Sequence, residues 1–253
     1  MDTCHLSIVT GSSRGLGEAI VEALIAPGQQ VLGIARHVNP RLQQRADAAG
    51  VALTQWPADL AEPLAVAQRL RDWLAALDPA RLASATLINN AGVTGVPAPA
   101  AQVPLADLSR SIRVGLEAAM LLAAAFLDAS AAWTAPRRIV NVSSGLGRRA
   151  IAGSAAYCAA KAGMDNFSRA LALEQAGRPH PVRIESLAPG IIDTDMQAAL
   201  RHADPAAFPE RERFARFHDQ GLLASPADCA RRLLARLAQP DFGAEAVTDL
   251  RSA

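Results

Sequence analysis

The sequence contains few aromatic residues, few cysteines and no apolar run long enough to cross a membrane. Aromatic residues make up 4% of the 253 residues, which favours aliphatic packing of helices on a sheet over an aromatic-rich β-sandwich. The nearest candidate for a membrane span, residues 118–127, is well short of the roughly 20 residues that a transmembrane helix needs. Cys4, Cys158 and Cys229 form no CxxC pair, and no histidine stands at metal-ligand spacing. We therefore expect reduced thiols, no metal site and no membrane span.

An excess of charge of either sign is also missing. The formal net charge of +1 argues against binding to nucleic acid or a membrane surface, because both need a concentrated basic stripe. The apolar LSIVTG begins within the first residues, without the basic segment and long apolar region of a secretory signal, so we expect a cytoplasmic protein. Hydrophobic residues make up 51% of the chain, which predicts a folded protein, and its length is within the range of a single α/β domain over 1–253.

Short runs rich in Val and Ile alternate with longer helical patterns along the chain. Strands are predicted at 6–10, 30–35, 51–56, 85–89, 138–143 and 182–188, with an edge strand within 244–250. Helices are predicted at 15–26, 40–49, 61–76, 105–130, 154–176 and 226–238. The strands are apolar on both faces, as burial between two helical layers requires. The fold class is therefore α/β, a Rossmann-type, doubly wound, mostly parallel sheet of about seven strands with helices on both faces.

The first predicted strand runs into a glycine-rich turn, TGSSRGLG. A phosphate can approach the backbone N–H groups of such a turn, and the start of the following helix adds positive charge. Gly11, Ser13, Arg14, Gly15, Leu16 and Gly17 are the candidate contacts to a cofactor here. The spacing G-x-x-x-G-x-G differs from the G-x-G-x-x-G dinucleotide motif, so a tight turn without a ligand is a real alternative at this point.

Arg36 follows the second strand, where NAD-binding folds usually have an acidic residue that binds the adenosine ribose. A carboxylate would repel a 2′-phosphate, whereas Arg36 and Arg14 can pair with it. The cofactor is therefore predicted to be NADP(H). The alternative is that Arg36 is an ordinary solvated residue at the start of a loop.

Small polar residues follow the third and fourth strands as well. Asp59, next to Leu60, is either the N-cap of the helix at 61–76 or a partner of the adenine amine. Asn90, Ala91 and Gly92 lie where the cofactor ribose is expected if the glycine turn holds phosphates, or they form a simple turn.

The most specific pattern is Ser144 followed by Tyr157 and Lys161. Tyr157, the only tyrosine, lies four residues before Lys161 in a helical stretch, so both side chains project from one helix face. An ammonium at about 5 Å, with an effective dielectric near 20, stabilises a phenolate by roughly 3 kcal/mol, or about two pKa units. We expect Tyr157 to have a pKa lowered towards neutrality for acid–base work and Ser144 to hydrogen bond the same substrate oxygen.

Together these motifs resemble the short-chain dehydrogenase/reductase family across nearly the whole chain. The residues that carry the resemblance are TGSSRGLG, NNAG, Ser144 thirteen residues before Tyr157, YCAAK and PGIIDT at 189–194. The resemblance implies strand order 3-2-1-4-5-6-7, Tyr157 as acid, Ser144 as hydrogen-bond donor and Lys161 as partner of the ribose and of Tyr157. It also implies cofactor contacts from Asn90, Pro189, Gly190, Ile192 and Thr194. The C-terminal quarter is similar to the sepiapterin reductase and benzil reductase branch.

One residue departs from the family pattern. The family commonly has an Asn that organises a water of the proton relay, but the sequence here is Val114-Gly115-Leu116. Either the alignment is misplaced, or Ser111 or a backbone carbonyl holds the water, or the enzyme is slow. A catalytically weak, NADPH-binding regulatory protein is therefore the alternative to a reductase. A third hypothesis is an interaction module, because the helices at 105–130 and 154–176 are apolar enough to pair between subunits.

The more polar segment from 194 to 221 is predicted to form a substrate-side lid. Together with the next two residues it supplies large apolar side chains for a flat substrate: Met196, Leu200, Phe208, Phe214, Phe217, Leu222 and Leu223. These residues equally suit simple packing of the segment onto the sheet. We expect a small-molecule ketone or vicinal dicarbonyl as substrate, such as an aromatic diketone or a pterin side-chain ketone, and a homodimer or homotetramer.

Overall fold

The computed structural model describes residues 3–251 and contains one seven-stranded sheet. Its strands are β1 (Cys4–Thr10), β2 (Gln29–Ala35), β3 (Ala52–Pro57), β4 (Leu82–Asn89), β5 (Arg137–Val142), β6 (Val182–Ala188) and β7 (Val247–Asp249). The order is β3-β2-β1-β4-β5-β6-β7, and every pair is parallel. The predicted fold class and strand order are both confirmed.

Helices cover both faces of this sheet. They are α1 (Gly15–Leu24), α2 (Pro40–Ala49), α3 (Pro63–Ala75), α4 (Leu105–Ile112), α5 (Ala118–Ala129), α6 (Ala155–Gln175), α7 (Asp195–Arg201), α8 (Arg211–Asp219) and α9 (Pro226–Ala238). Neighbouring strand residues point to opposite layers, as the period of two requires. Ile8 packs in one core with residues of α3, α5 and α6, whereas Val9 packs in the other with residues of α1, α2 and α9. The apolar runs of the sequence are thus buried on both sides.

Two regions of the chain differ from the sequence prediction, whereas the edge strand predicted within 244–250 is present as β7. The predicted helix at 105–130 is interrupted by a π-helical segment, Arg113–Glu117, which separates α4 from α5. Two short helices, α7 and α8, lie within the 194–221 segment, because it has an apolar cluster of its own around Phe208 and Phe214. The edge strand β7 has three residues. Within residues 3–251, no helix is both long and apolar enough to span a membrane.

Candidate active site

A cavity of about 890 Å³ opens at the carboxyl ends of the strands. Ligands of open α/β sheets bind at this edge, because loops leave the sheet there and helix N-termini face it. Every residue predicted for catalysis or cofactor contact lines this one cavity: Gly11, Ser13, Arg14, Gly15, Leu16, Gly17, Arg36, Asp59, Leu60, Asn90, Ala91, Gly92, Ser144, Tyr157, Lys161, Pro189, Gly190, Ile192 and Thr194. The structure brings the set together, and the role of each residue stays a prediction.

The glycine turn has the backbone that its sequence requires. Gly11 and Gly15 have φ angles of 68° and 57°, in the left-handed region that glycine adopts without strain. A Cβ on Gly17 would come within 2.1 Å of the Gly11 carbonyl oxygen, so no larger residue fits there. Arg14 at the N-cap of α1 provides no side-chain hydrogen bond to the helix. The first N–H groups of α1 are therefore left without a side-chain cap at the cavity wall.

Asn90 stabilises this turn from the adjacent strand end. Its side-chain nitrogen donates to the Thr10 carbonyl oxygen at 2.9 Å, and the backbone N–H groups of Asn90 and Ala91 both donate to Thr10 Oγ1 at 3.0 Å. The Asn90 side chain thus connects the end of β4 to the end of β1 by a hydrogen bond. Its predicted place beside a ribose is compatible with this position on the cavity wall.

The two arginines at this end of the cavity have different surroundings. Arg14 forms an ion pair of 3.1 Å with Asp195 at the start of α7, with both side chains largely exposed. Arg36 is exposed and, within residues 3–251, makes no ion pair or hydrogen bond through its side chain. An unpaired guanidinium needs no existing contact to be broken before it binds an anion.

One of the two interpretations of Asp59 made it the N-cap of the following helix, and this interpretation is wrong. The helix begins later, at Pro63, with Glu62 at the cap position. Asp59 instead accepts a hydrogen bond from the N–H of Ala61 at 3.0 Å, because a tight turn precedes the helix. Its other carboxylate oxygen lies 3.5 Å from Arg110. The adenine interpretation stays open.

Ser144, Tyr157 and Lys161 come together on the opposite side of the cavity. Ser144 Oγ accepts a hydrogen bond from the N–H of Leu146 at 3.1 Å, which orients the hydroxyl at the end of β5. Tyr157 and Lys161 are one turn apart on α6, and the Lys161 Nζ lies 5.7 Å from the centre of the tyrosine ring. The ammonium donates to the Val142 carbonyl oxygen at 2.7 Å.

The expected lowering of the Tyr157 pKa is wrong for this structure. Burial raises the pKa of Tyr157 above its usual value of 10.0, and hydrogen bonding to Ser144 opposes this only in part. Burial also lowers the pKa of Lys161 from 10.5 to about 8, against the opposing effect of Asp165. The spacing of Tyr157 and Lys161 alone leaves out burial, and loss of water on burial disfavours the charged form of each group. Tyr157 is therefore a protonated phenol at neutral pH.

Gly115 lies inside the π-helical segment and is buried where this segment packs against α6. A Cβ at this position would stand 3.2 Å from the Cβ of Ala160, so the two helices approach closely here. Ser111, one candidate for holding a water, lines a separate small pocket with Gly95 and Ser154 rather than the main cavity. Thr94 and Ser154 line both this pocket and the main cavity, so the two adjoin, and the water-holding role of Ser111 stays a prediction.

The 194–221 segment divides its large apolar residues between packing and the cavity wall. Met196, Leu200, Phe214 and Phe217 line the cavity. Phe208 does not, because it is fully buried at 5.6 Å from the Phe214 ring. Leu222 and Leu223 lie outside the lining, and Leu222 is 57% exposed. Phe208 therefore packs inside the segment, and neither Leu222 nor Leu223 lines the cavity. None of these three residues is placed to make the substrate contact that one interpretation predicted.

The sequence predicts a mixture of apolar and charged groups in the lining at 145–154 and 194–221, but several charged residues of the cavity wall were not singled out. They are Arg110, Arg148, Arg149, Asp193, Asp195, Arg213, Asp249 and Arg251. For Arg148 and Arg149, the sequence signal is their position between Ser144 and Tyr157 in the chain. Asp165, behind the wall, was also missed, although it lies one helical turn after Lys161 on the same face. Within residues 3–251, no group of three His, Cys, Asp or Glu is arranged to hold a metal ion.

Comparison with known proteins agrees with this arrangement. The family model for short chain dehydrogenase matches residues 6–205. Benzil reductase ((S)-benzoin forming) of Bacillus subtilis is 34% identical over 233 residues, which are 92% of this chain and 93% of that protein. Sepiapterin reductase of Rattus norvegicus is 30% identical over an alignment of 257 positions, which covers 97% of this chain and 96% of that protein.

A solved structure from Beutenbergia cavernae has a TM-score of 0.81 and 29% sequence identity. The match covers 98% of this chain and 95% of the other. That protein is provisionally assigned as an NAD(P)-dependent gluconate 5-dehydrogenase, and its crystal contained NADP at low occupancy.

Proposed function

The chain belongs to the short chain dehydrogenase family, and from that membership we propose that it uses NADPH to reduce a ketone or a vicinal dicarbonyl. The observation that carries the proposal is the single cavity that Ser144, Tyr157 and Lys161 share with the glycine turn and Arg36. Proton chemistry and dinucleotide recognition are both available in it. The relatives that act on benzil and sepiapterin support the choice of substrate class.

The wall of the cavity fits the chemistry of NADPH. The uncapped start of α1 offers N–H donors to a pyrophosphate. Arg36, which has no side-chain partner in the described part of the chain, offers a cation to a 2′-phosphate. Lys161, which lines the opposite side of the same cavity, would donate to ribose hydroxyls. When bound, NADPH supplies the hydride that adds to the carbonyl carbon.

The residues of this chain then handle the proton. Tyr157, kept protonated by burial, donates its phenolic proton to the substrate oxygen as the oxygen gains negative charge. Ser144 donates a hydrogen bond to the same oxygen, which polarises the carbonyl. The Lys161 ammonium, held by the Val142 carbonyl, favours the phenolate that remains. The products are an alcohol and oxidised cofactor.

Phe214 and Phe217 support a flat substrate. Their rings lie 6.0 Å apart in an edge-to-face arrangement on the cavity wall. Aromatic side chains favour planar ligands of similar polarity. A vicinal dicarbonyl is also an easier hydride acceptor than an isolated ketone, because each carbonyl withdraws electrons from the other. The 194–221 segment is accordingly proposed as the substrate-side lid.

The test is a comparison of kcat/KM with NADPH for benzil, a simple aryl ketone, a pterin ketone, a steroid ketone and a sugar. We expect benzil or the pterin ketone to exceed the steroid and the sugar by tenfold or more, roughly the effect of 1.4 kcal/mol. Tyr157→Phe serves as the inactive control. A steroid or sugar preferred by tenfold would overturn the substrate class, whereas tight NADPH binding without turnover of any compound would favour the regulatory alternative.

A further inference from the structure

A buried carboxylate lies directly behind the proposed active site. Asp165 on α6 is 2% exposed, and its Oδ1 accepts hydrogen bonds from Ser143 Oγ at 2.5 Å and Ser186 Oγ at 2.6 Å. Ser143 follows β5 and immediately precedes Ser144, whereas Ser186 lies in β6. One carboxylate oxygen therefore joins α6 to two adjacent strands of the sheet.

The second oxygen of Asp165 has an ion-pair partner, but no donor among the described residues lies within hydrogen-bond distance. Its Oδ2 is buried and accepts no hydrogen bond within residues 3–251, and Arg148 Nε lies 3.7 Å away. A Cβ on Gly147 would come within 2.8 Å of the same oxygen, so the turn after Ser144 is packed against the carboxylate. Leaving a buried carboxylate oxygen without a hydrogen bond costs stability. A residue kept for packing alone would not need this charge.

The charge of Asp165 also acts on Lys161, which lies one helical turn before it on α6. Lys161 is 3% exposed, and Asp165 is the group that raises its pKa against the larger effect of burial. Among the described residues, the other titratable groups near the pair are Tyr157 on α6 and Arg148 from the turn after β5. Asp249 of β7 acts at longer range, beyond Arg148. The contacts from β5 and β6 are uncharged: the Val142 carbonyl, Ser143 and Ser186.

We propose that Asp165 is a positioning residue for the reduction, acting on both sides of the reacting carbonyl. Through Ser143 it holds the strand end that carries Ser144, and from one helical turn away on α6 its charge acts on the Lys161 ammonium. The proposal rests on the proposed function, since it assigns Ser144 and Lys161 to that reaction. Asp165 itself does not line the cavity and touches no substrate.

The charge can be tested without measuring activity. Lys161 is the only lysine of the chain, so protein labelled with ¹³Cε-lysine gives one side-chain resonance, whose titration follows Lys161 alone. Asp165→Asn keeps an oxygen that accepts from both serines and removes the charge. We expect the midpoint, about 8 in the wild type, to fall by about one pH unit or more. An unchanged midpoint would overturn this part of the proposal, even if the protein reduced no carbonyl at all.

The catalytic consequence is tested by the pH profile of kcat. Loss of the proton from Lys161 removes the cation that favours the Tyr157 phenolate, so the rate falls on the alkaline side. In Asp165→Asn that alkaline limb should move to lower pH together with the lysine midpoint. A limb that stays in place while the midpoint moves would show that the charge of Lys161 does not limit the reaction.

Two serine variants form a matched pair for the positioning part. Ser143→Ala and Ser186→Ala each remove one hydrogen bond of similar length to the same carboxylate oxygen, but only Ser143 adjoins Ser144. We expect Ser143→Ala to lower kcat by about tenfold and Ser186→Ala by less than about threefold, with similar losses in Tm. Equal losses of kcat would show that the network is merely structural.

Discussion

The two ends of the cavity hold their charges in opposite ways. At the end formed by β1 and β2, the Arg36 guanidinium is exposed and has no side-chain partner in the described part of the chain. At the reaction end, Lys161 and Asp165 are buried within a network that includes the Val142 carbonyl and Ser143. An exposed, unpaired charge can be exchanged without disturbing the fold. Replacing a buried charge that belongs to a hydrogen-bond network changes the stability of the protein, the pKa of the neighbouring groups and the geometry of the site at the same time.

The largest effect should come from the reaction end. Tyr157→Phe should lower kcat/KM by 10²–10⁴, about the contribution of a general acid, because it removes the proton that burial keeps on the phenol. NADPH affinity should change by less than about threefold, since the ring is retained. Steady-state kinetics and fluorescence titration measure the two quantities. Near-normal turnover by the Phe variant would end the assignment of Tyr157 as proton donor.

Lys161→Met should separate function from stability. We expect kcat/KM to fall by about a hundredfold and NADPH affinity by about tenfold, because one ammonium is proposed to serve both the phenol and the ribose. Unchanged NADPH affinity would remove the ribose role.

The same variant should be more stable than the wild type at neutral pH. The pKa of Lys161 in the folded protein, about 8, lies below its usual 10.5, so the charged ammonium destabilises the folded state at pH 7. This destabilisation disappears as the pH rises from about 8 to 10.5. The gain at pH 7 has an upper bound of about 3 kcal/mol, less the lost hydrogen bond to Val142. Urea unfolding at pH 7 and pH 10 measures it. An advantage of Lys161→Met that does not shrink with rising pH would contradict this account.

The smallest effect should come from the end of the cavity formed by β1 and β2, where substitution of Arg36 should alter only the choice of cofactor. Arg36→Asp should weaken NADPH by roughly tenfold or more and narrow or invert the preference over NADH, because the 2′-phosphate then meets a carboxylate. Tm should stay within about 2 °C, since no side-chain partner is lost. Arg41→Asp makes the same change of charge outside the cavity lining and should leave cofactor choice unaltered. A wild type that already prefers NADH would refute the assignment of Arg36.

Local sequence predicted the parts of the site that one segment of chain builds. The Tyr157–Lys161 spacing and the glycine turn depend on a single helix or turn, and the strand order followed from the family resemblance. For Phe208 the sequence left packing and substrate contact equally open, because its orientation depends on how two short helices pack on each other. The direction of the Tyr157 pKa shift depends on burial, which no spacing reveals.

Asp165 illustrates what was missing from the sequence argument. Its partners Ser143 and Ser186 are 22 and 21 residues away and come from two strands, so only the assembled sheet brings them together. A charged residue one turn after Lys161 was visible in the sequence. Its function was not, because the distances to the serines and to Arg148 are set by the packing of α6 on the sheet.

The close approach of Gly115 and Ala160 has a consequence for substitutions at both positions. A Cβ at 115 would stand 3.2 Å from the Cβ of Ala160, the residue that precedes Lys161. Gly115→Asn alone would therefore push on the backbone that carries the lysine, and Ala160→Gly alone would open a gap. Substitutions at the two positions are therefore coupled: the change in the free energy of unfolding for the double variant should differ from the sum of the changes for the two single variants.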